Sequence, residues 1–391
     1  MWTILIMYLF VLSIYLSFKL KFKNYKINIK ELFKKDKTSL FLTLGTKIGV
    51  GSIIGTASSI LIGGFSSVIW IIIFSFLFTS LIYYESYYGN KYKKDGIGGP
   101  YFINRYGLNN RILSVISLIL LIISYSFIFQ MIQFNTISYI LVNDLNISKL
   151  LIILVSILFL YITLKLSIKD VLNILNKLVP YMCLIFILVC LYIILRNINN
   201  INFNIFIKDF LSFKSIFSGL VVGIKRSIFM NEVLIGTTST ASASDKNDIE
   251  ISIKYQILSV YFISIVITLL VTFLLLIYLS NNVIPSDYNI LMSNVFYYSL
   301  GDFGIYFLLI IYLLFGITTV LSGYYIGVSN IKYLSNNKFI IRLFKILFML
   351  CSVLGIILNN NYIWKYSDIL LFIMIIINSY SIIKLVMYDD R

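Results

Sequence analysis

The sequence predicts an all-α integral membrane protein that crosses the bilayer about eleven times. Of its 391 residues, 60% are hydrophobic and only 12% are charged, and the mean hydropathy is +0.94. A soluble domain is typically about 45–50% apolar and about 25% charged. Only three prolines interrupt the chain, which favours long helices. This composition excludes both an ordinary soluble protein and a disordered chain.

Apolar segments long enough to cross about 30 Å of hydrocarbon recur along the whole chain. We predict spans at 2–18, 39–62, 66–90, 113–142, 150–167, 173–195, 215–243, 255–280, 303–330, 340–358 and 363–387. The first segment lacks a preceding basic region and a small-residue cleavage site, so we interpret it as a span rather than a signal peptide.

The distribution of basic residues predicts the orientation. Of the 32 Lys and Arg, 24 lie in alternate connections, at 19–37, 91–111, 165–177, 245–254, 331–345 and 384–391. Because basic loops stay in the cytoplasm, we expect the N-terminus outside, the C-terminus inside, and a multi-pass protein of the plasma membrane. Topology therefore explains most of the net charge of +16, and no nucleic-acid partner is expected.

The chain lacks the residues that several kinds of catalytic or metal site require. The chain has no histidine, which excludes imidazole zinc sites and histidine-based nucleophilic catalysis. Its three cysteines lie in apolar runs without CxxC spacing, so neither a disulfide framework nor a metal cluster is predicted. We expect a non-enzyme without a cofactor.

Two predicted spans, the second and the seventh, are unusually rich in glycine and hydroxyl residues. The segments 54–59 (IGTASS) and 235–240 (IGTTST) echo one another near the start of two sets of five spans. An odd number of spans per set places the two sets in opposite orientation. Glycine-interrupted helices at matching places in inverted halves are typical of a midplane site in a secondary transporter. The alternative is close helix packing through small residues.

This repeat predicts four parts of the chain. They are an extra N-terminal helix with a basic segment (1–38), a first half (39–196), an external connection (197–214), and a second half with a short tail (215–391).

Polar residues inside the predicted spans indicate where a site would lie. Ser126, Gln130 and Gln133 share one helix face, and Thr318, Thr319 and Ser322 form a hydroxyl patch on another helix. Amides in hydrocarbon are costly unless they face a bundle interior or a wet cavity. The threonines could instead bond their own helix. We expect Glu85 to reach water at its helix end, and Glu232, close to Lys225 and Arg226, to be paired within a structural or gating network.

Motifs along nearly the whole chain resemble those of the sodium:alanine symporters, the alanine-or-glycine:cation symporter family. The resemblance rests on 63–70 (GGFSSVIW), 91–103 (KYKKDGIGGPYFI), 131–136 (MIQFNT) and 223–237 (GIKRSIFMNEVLIGT), together with Trp364, Asp368 and Asn378. It implies a leucine-transporter-like fold of five plus five inverted helices after one extra helix. It also implies uptake of small neutral amino acids, such as alanine or glycine, coupled to a sodium ion or a proton.

The same resemblance implies site residues, which we take as expectations. The expected substrate positions are Gly49, Gly51, Ser52, Gln133, Asn135, Gly236, Thr237 and Gly323. The expected cation positions are Lys47, Thr318 and Thr319. Lys225, Arg226, Asn231 and Glu232 are expected to form a gating or structural network. Helix breaks at 49–52 and 231–236 would free backbone N–H groups for the substrate carboxylate.

The chain departs from the family pattern at positions that bear on substrate and ion. Lys47 replaces a threonine, and its ammonium either snorkels toward the cytoplasm or takes the place of the sodium ion. Gly323 replaces a tryptophan, which predicts room for side chains larger than methyl unless Tyr324 and Tyr325 refill it.

These departures leave two alternatives to a sodium symporter: a sodium-independent or proton-coupled transporter of altered specificity, and a non-transporting receptor-like relative.

Overall fold

The computed structural model describes residues 2–25, 27–32, 35–282, 288–335 and 337–389. The predicted basic segment 19–37, the predicted connection 281–302, and the chain end therefore lie partly outside the described residues. The described residues form helices and turns, with one isolated bridge between Lys94 and Ile97. The prediction of an all-α membrane protein is confirmed at this level.

In the first half of the chain, the described residues form eleven α-helices. They are α1 Trp2–Lys19, α2 Ile29–Leu32, α3 Thr38–Lys47, α4 Val50–Gly63, α5 Ser66–Leu77, α6 Thr79–Lys91, α7 Pro100–Phe102, α8 Arg111–Leu121, α9 Phe129–Asn143, α10 Lys149–Lys165 and α11 Ile168–Arg196. Turns of π-helix at Ile103–Gly107 and Ile122–Ile128 continue α7 and join α8 to α9.

The remainder contains nine more. They are α12 Phe203–Leu211, α13 Phe213–Asn231, α14 Thr237–Ser242, α15 Ile249–Tyr261, α16 Thr268–Leu279, α17 Tyr288–Leu300, α18 Asp302–Leu334, α19 Lys338–Ile357 and α20 Asn360–Asp389. A π-helical turn at Phe262–Ile267 joins α15 to α16, and short 3-10 turns lie at Lys23–Tyr25 and Ile198–Asn200.

Among the described residues, seven helices are long and apolar enough to cross a bilayer, or up to nine spans if each of two bent pairs is one span. The bent pairs are α3 with α4 and α5 with α6. Two predicted spans are not among these: 150–167 corresponds to the 17-residue α10, and 215–243 corresponds to α13 and α14, which are separated by an irregular segment. The number eleven stays a prediction.

The broken pair α3 and α4 lies in the middle of the molecule. These helices contact α9, α11, α13, α14, α15, α16 and α18. Glycines allow α13 to approach closely: a Cβ at Gly219 or Gly223 would overlap Ser66, Ser67 or Trp70 of α5. For these two glycines the packing explanation is the correct one.

A short segment after α1 rests on α15. Lys254 forms an ion pair with Glu31 at 2.9 Å, and the Tyr255 hydroxyl donates to the backbone oxygen of Leu32 at 2.8 Å. The bond from the Lys254 ammonium holds the pKa of Glu31 below its usual range.

Candidate substrate and ion site

Two helices are interrupted at about the positions where the sequence predicts breaks. The axes of α3 and α4 differ by 49°, and the chain between them is extended at Gly49. After α13, positive φ angles occur at Glu232 (52°), Leu234 (58°) and Gly236 (101°), and α14 then begins. Left-handed backbone suits glycine at Gly236, where a Cβ would also overlap the Pro100 ring.

The two breaks face one small buried cavity. Its volume is about 20 Å³, room for roughly one water molecule. Helices α3, α4, α9, α13 and α18, with the two breaks and the π-helical turn before α9, line it. They contribute Thr46, Lys47, Gly49, Gly51, Ser52, Tyr125, Phe129, Ile132, Gln133, Phe229, Met230, Glu232 and Thr319. The structure thus brings together six residues of the expected substrate and cation sets, which are Lys47, Gly49, Gly51, Ser52, Gln133 and Thr319, and adds Glu232 from the expected gating network.

Gln133 links α9 to the first break. Its Oε1 accepts a hydrogen bond from the backbone N–H of Val50 at 3.0 Å, which is one of the free donors at the start of α4. A Cβ at Gly49 would lie 2.9 Å from Gln133 Nε2 and 3.0 Å from Thr319 Oγ1. Glycine at this position therefore lets an amide and a hydroxyl meet at the break.

The two threonines expected to bind a cation point in different directions. Thr319 Oγ1 lies 3.1 Å from the backbone oxygen of Gly45, beside the break, and 2.9 Å from that of Phe315. Thr318 instead points toward α11, where its Oγ1 lies 3.2 Å from the sulfur of Met182. Of this pair, Thr319 lines the cavity.

Lys47 and Glu232 place opposite charges beside the same cavity. The Lys47 side chain is only 4% exposed, and its Nζ donates to the Ser259 hydroxyl of α15 at 3.2 Å. Glu232 accepts hydrogen bonds from Thr46 at 3.0 Å, from Thr237 at 2.5 Å, and from the Tyr125 hydroxyl. The carboxylates that attract the Lys47 ammonium are Glu232 and Glu85.

Glu85 satisfies backbone donors at the second break. Its carboxylate accepts from the N–H of Leu234 at 2.9 Å and of Gly236 at 2.8 Å. The side chain is 1% exposed, so the expectation that Glu85 reaches water is wrong. The protein's own carboxylate occupies the Gly236 donor that we expected to be free for a substrate.

Comparison with known proteins identifies the family. The sequence profile described as the sodium:alanine symporter family matches residues 1–388. The chain belongs to this family. The amino-acid carrier protein AlsT of Bacillus subtilis is 25% identical, with 87% of this chain and 75% of that protein covered.

Two further relatives from Bacillus subtilis cover more of the chain. The probable sodium/glutamine symporter GlnT is 25% identical and covers 98% of this chain and 85% of its own length. The putative sodium/proton-dependent alanine carrier protein YrbD is 25% identical, with 96% of this chain and 85% of that protein covered. A crystal structure of the Eremococcus coleocola manganese transporter covers 90% of this chain and 69% of its own, with a TM-score of 0.45 and 12% identity.

In this member of the sodium:alanine symporter family, four expected substrate residues lie away from the cavity lining, and one of them is Gly236, whose N–H donates to Glu85. Asn135 donates from its amide to the backbone oxygens of Gly355 and Leu358, both at 2.8 Å. Thr237 bonds Glu232, as described above. Gly323 faces Gln130, whose Nε2 a Cβ at this position would overlap.

The expected gating residues form separate contacts rather than one network around Glu232. Lys225 pairs with Asp368 of α20 at 2.5 Å. Arg226 donates to the backbone oxygen of Gly51, and its guanidinium lies 4.8 Å from the centre of the Phe229 ring. Asn231 donates from its amide to Ser75 Oγ at 2.7 Å. Glu232 itself pairs with Thr46, Thr237 and Tyr125.

Sequence reasoning missed the aromatic and hydroxyl part of the lining. Phe129 packs on Phe229 at 5.6 Å between ring centres, and Phe229 packs on Trp364 at 5.4 Å. The sequence contained an indication of this part of the lining: Tyr125 and Phe129 lie eight and four residues before Gln133, which places all three on one helix face. Thr46 carried no signal beyond its position next to the break.

Proposed function

We propose that this protein is a plasma-membrane symporter that couples the uptake of small neutral amino acids, such as alanine or glycine, to the entry of a cation. One observation carries the proposal: a backbone break, a buried amide and a hydroxyl meet at a central cavity, with the second break beside it. Membership of the sodium:alanine symporter family supports cation-coupled amino-acid symport. The names of AlsT, GlnT and YrbD, an amino-acid carrier, a probable glutamine symporter and a putative alanine carrier, support an amino acid as the substrate.

In the proposed mechanism, the start of α4 and Gln133 hold the substrate. Backbone N–H groups from Gly49 to Ser52 would bind the substrate carboxylate. The Gln133 amide oxygen would accept a hydrogen bond from the substrate ammonium. Glu232 supplies the negative charge that attracts the substrate ammonium. Thr319 and the Gly45 backbone oxygen offer hard oxygen ligands to a cation.

The described conformation fits a closed stage of the proposed cycle. A cavity of about 20 Å³ is too small for an amino acid, so Phe129 and Phe229 must move for one to enter. Arg226 on Gly51 and Lys225 on Asp368 hold α13 against α4 and α20 on one side of the cavity. We propose that alternate opening rocks the half 39–196 against the half 215–391.

Reconstituted transport tests this proposal. The purified chain in liposomes is given labelled alanine, glycine or serine under an inward sodium gradient, a proton gradient, or neither. Saturable uptake driven by a cation gradient is expected. Saturable binding without flux would favour the receptor-like alternative, and no binding of any of the three would overturn the proposed substrate class.

A sodium-independent transporter is the second candidate, and Lys47 favours it. Lys47 lines the cavity that Thr319 also lines, so a sodium ion there would be repelled by its fixed charge. At 4 Å and an effective dielectric constant of about 20, two like charges repel by about 4 kcal/mol. On this proposal uptake persists without sodium, and Lys47→Thr makes it sodium-dependent.

The matched control is Lys208→Thr, a lysine on the exposed surface of α12. It should leave the ion requirement unchanged. Wild-type uptake that is abolished by sodium removal would reject the second candidate and leave the first intact.

A further inference from the structure

A second, larger cavity lies to the side of the central one, between α9, α10 and α18. Its volume is about 380 Å³, within the range of small-molecule sites at about 300–1,000 Å³. Gln133 lines both cavities. The lateral cavity follows α9 from Gln133 to Leu141, eight residues or about 12 Å of helix.

The lining of the lateral cavity is suited to a ligand without polar groups. None of the lining residues is charged, and the polar side chains among them are Gln133, Ser138 and Ser156. The Ser138 hydroxyl donates to the backbone oxygen of Asn135 at 2.8 Å, and Gln133 Oε1 accepts from Val50. A polar ligand would lose its water here with few partners in return.

The mouth of the lateral cavity opens on the membrane-facing surface of α10. Leu151 and Val155 line the cavity and are nevertheless 52% and 59% exposed. The neighbouring exposed side chains of the same helix, Leu154, Leu158 and Ile162, are all aliphatic. In a membrane protein such a surface meets lipid hydrocarbon, so hydrocarbon is the material at the mouth.

We propose that the lateral cavity binds a single unbranched acyl chain, from a membrane phospholipid or from a free fatty acid. The extent of the lining along α9, the apolar side chains and the exposed Leu151 and Val155 at the mouth all fit this ligand. A bound chain packs between α9 and α18 and supports Gln133 in the position where it accepts from Val50. Occupancy therefore favours the conformation described above. The binding itself does not rest on the proposed transport function, whereas this effect on conformation does.

Photolabelling of the full chain in liposomes tests the site. The probes are a phospholipid and a free palmitate, each with a diazirine near the end of its acyl chain, and labelled peptides are mapped by mass spectrometry. Label is expected on the buried lining residues Phe134, Ile152 and Val320, which surface lipids do not reach. If the phospholipid probe labels these residues and unlabelled phospholipid competes with it, the chain comes from a phospholipid. If the palmitate probe does so and unlabelled palmitate competes, the chain comes from a free fatty acid.

Two variants close the lateral cavity, and one control leaves it open. Ser156→Phe fills it and Leu151→Trp covers its mouth; each should lower the label on the buried residues at least five-fold. Leu154→Phe, on the exposed surface beside the mouth, should leave that label unchanged. Because Leu151 is half exposed, its replacement should not impair folding.

Three results would overturn the proposal: no label on the buried lining residues, equal label in the filled and control variants, or a narrower set of transported amino acids in Ser156→Phe with unchanged label. The last result would assign the cavity to the substrate side chain. Absence of transport with intact labelling would reject the proposed function and retain the acyl-chain site.

Discussion

At the scale of single residues, Gln133 carries the most consequential contact of the central cavity. It joins α9 to the start of α4 through the Val50 N–H and lines both the central and the lateral cavity. We expect Gln133→Leu to abolish amino-acid uptake, because it removes a polar group from the site. It also leaves a buried donor unpaired, which should lower the free energy of unfolding by about 1–3 kcal/mol.

Uptake into liposomes and thermal denaturation measure the two effects of Gln133→Leu. Ser138→Ala is the control on the same helix, since its hydroxyl bonds the backbone of its own helix. An unchanged apparent affinity and rate in Gln133→Leu would remove Gln133 from the site.

The sequence identified these polar residues but could not assign their partners. Gln130 and Gln133 were expected on one helix face, but the sequence did not indicate that they have different partners. Gln130 packs against Gly323, and Gln133 accepts a hydrogen bond from the Val50 N–H. The Gln130 amide fills the space that Gly323 opens, so the expected enlargement of the site does not arise there. Thr318 and Thr319 differ by one residue, or about 100° around the helix, and therefore reach different neighbours. Such outcomes depend on contacts between residues far apart in the sequence.

At the scale of elements, the irregular segment between α13 and α14 depends on Glu85 of α6. Glu85→Gln replaces one carboxylate oxygen by an NH₂ group that faces a backbone N–H of Leu234 or Gly236. We expect a loss of about 1.5–3 kcal/mol in the free energy of unfolding, because hydrogen bonds to charged groups are worth this much. Thermal denaturation in detergent measures it.

Glu31→Gln is the matched control for Glu85. Glu31 pairs with Lys254 at the surface, where an ion pair contributes at most about 1 kcal/mol. Equal losses for the two variants would contradict a special role of Glu85 in holding the break.

The contact between α4 and α13 leads to a third prediction. A Cβ at Gly55 would overlap the Arg226 guanidinium, so Gly55→Ala should displace Arg226 from Gly51. If this contact closes one side of the cavity, uptake should fall at least ten-fold and Arg226 should become accessible. Modification of Arg226 by an arginine-specific dicarbonyl reagent, mapped by mass spectrometry in the wild type and in Gly55→Ala, measures the accessibility.

Ser58→Ala is the control for Gly55, since the Ser58 hydroxyl bonds its own helix at the Gly55 oxygen. If Gly55→Ala takes up substrate at the wild-type rate, the contact of Arg226 with the Gly51 backbone oxygen is not required for transport.

The glycine pattern predicted where the helices break, but it did not predict which residues pack against the glycines. Gly49 and Gly236 lie in irregular backbone, as their spacing in two glycine-rich segments indicated. Gly55 belongs to the same pattern but remains helical and makes room for Arg226. A glycine in the sequence shows that a side chain is absent. Which residue packs into that space depends on the tertiary structure.

At the scale of the whole molecule, the alternation of basic loops predicts the topology, and this is our last prediction. The segment 165–177 should be cytoplasmic and the connection 197–214 external, with the single long helix α11 between them. Lys169 and Lys208 are exposed positions in these segments. In intact cells a membrane-impermeant maleimide should label Lys208→Cys, and should label Lys169→Cys only after the membrane is permeabilised.

The wild-type chain is the control, because Cys183 and Cys190 are buried and Cys351 is partly buried in an apolar helix. The reverse labelling would invert the predicted orientation and, with it, the side of the membrane on which Arg226 and Asp368 lie. Labelling of both variants in intact cells would mean that α11 does not cross the bilayer. That result would leave the first half, 39–196, with four spans against the five predicted in 215–391. The two halves would then start on the same side of the membrane and could not be inverted repeats of one another.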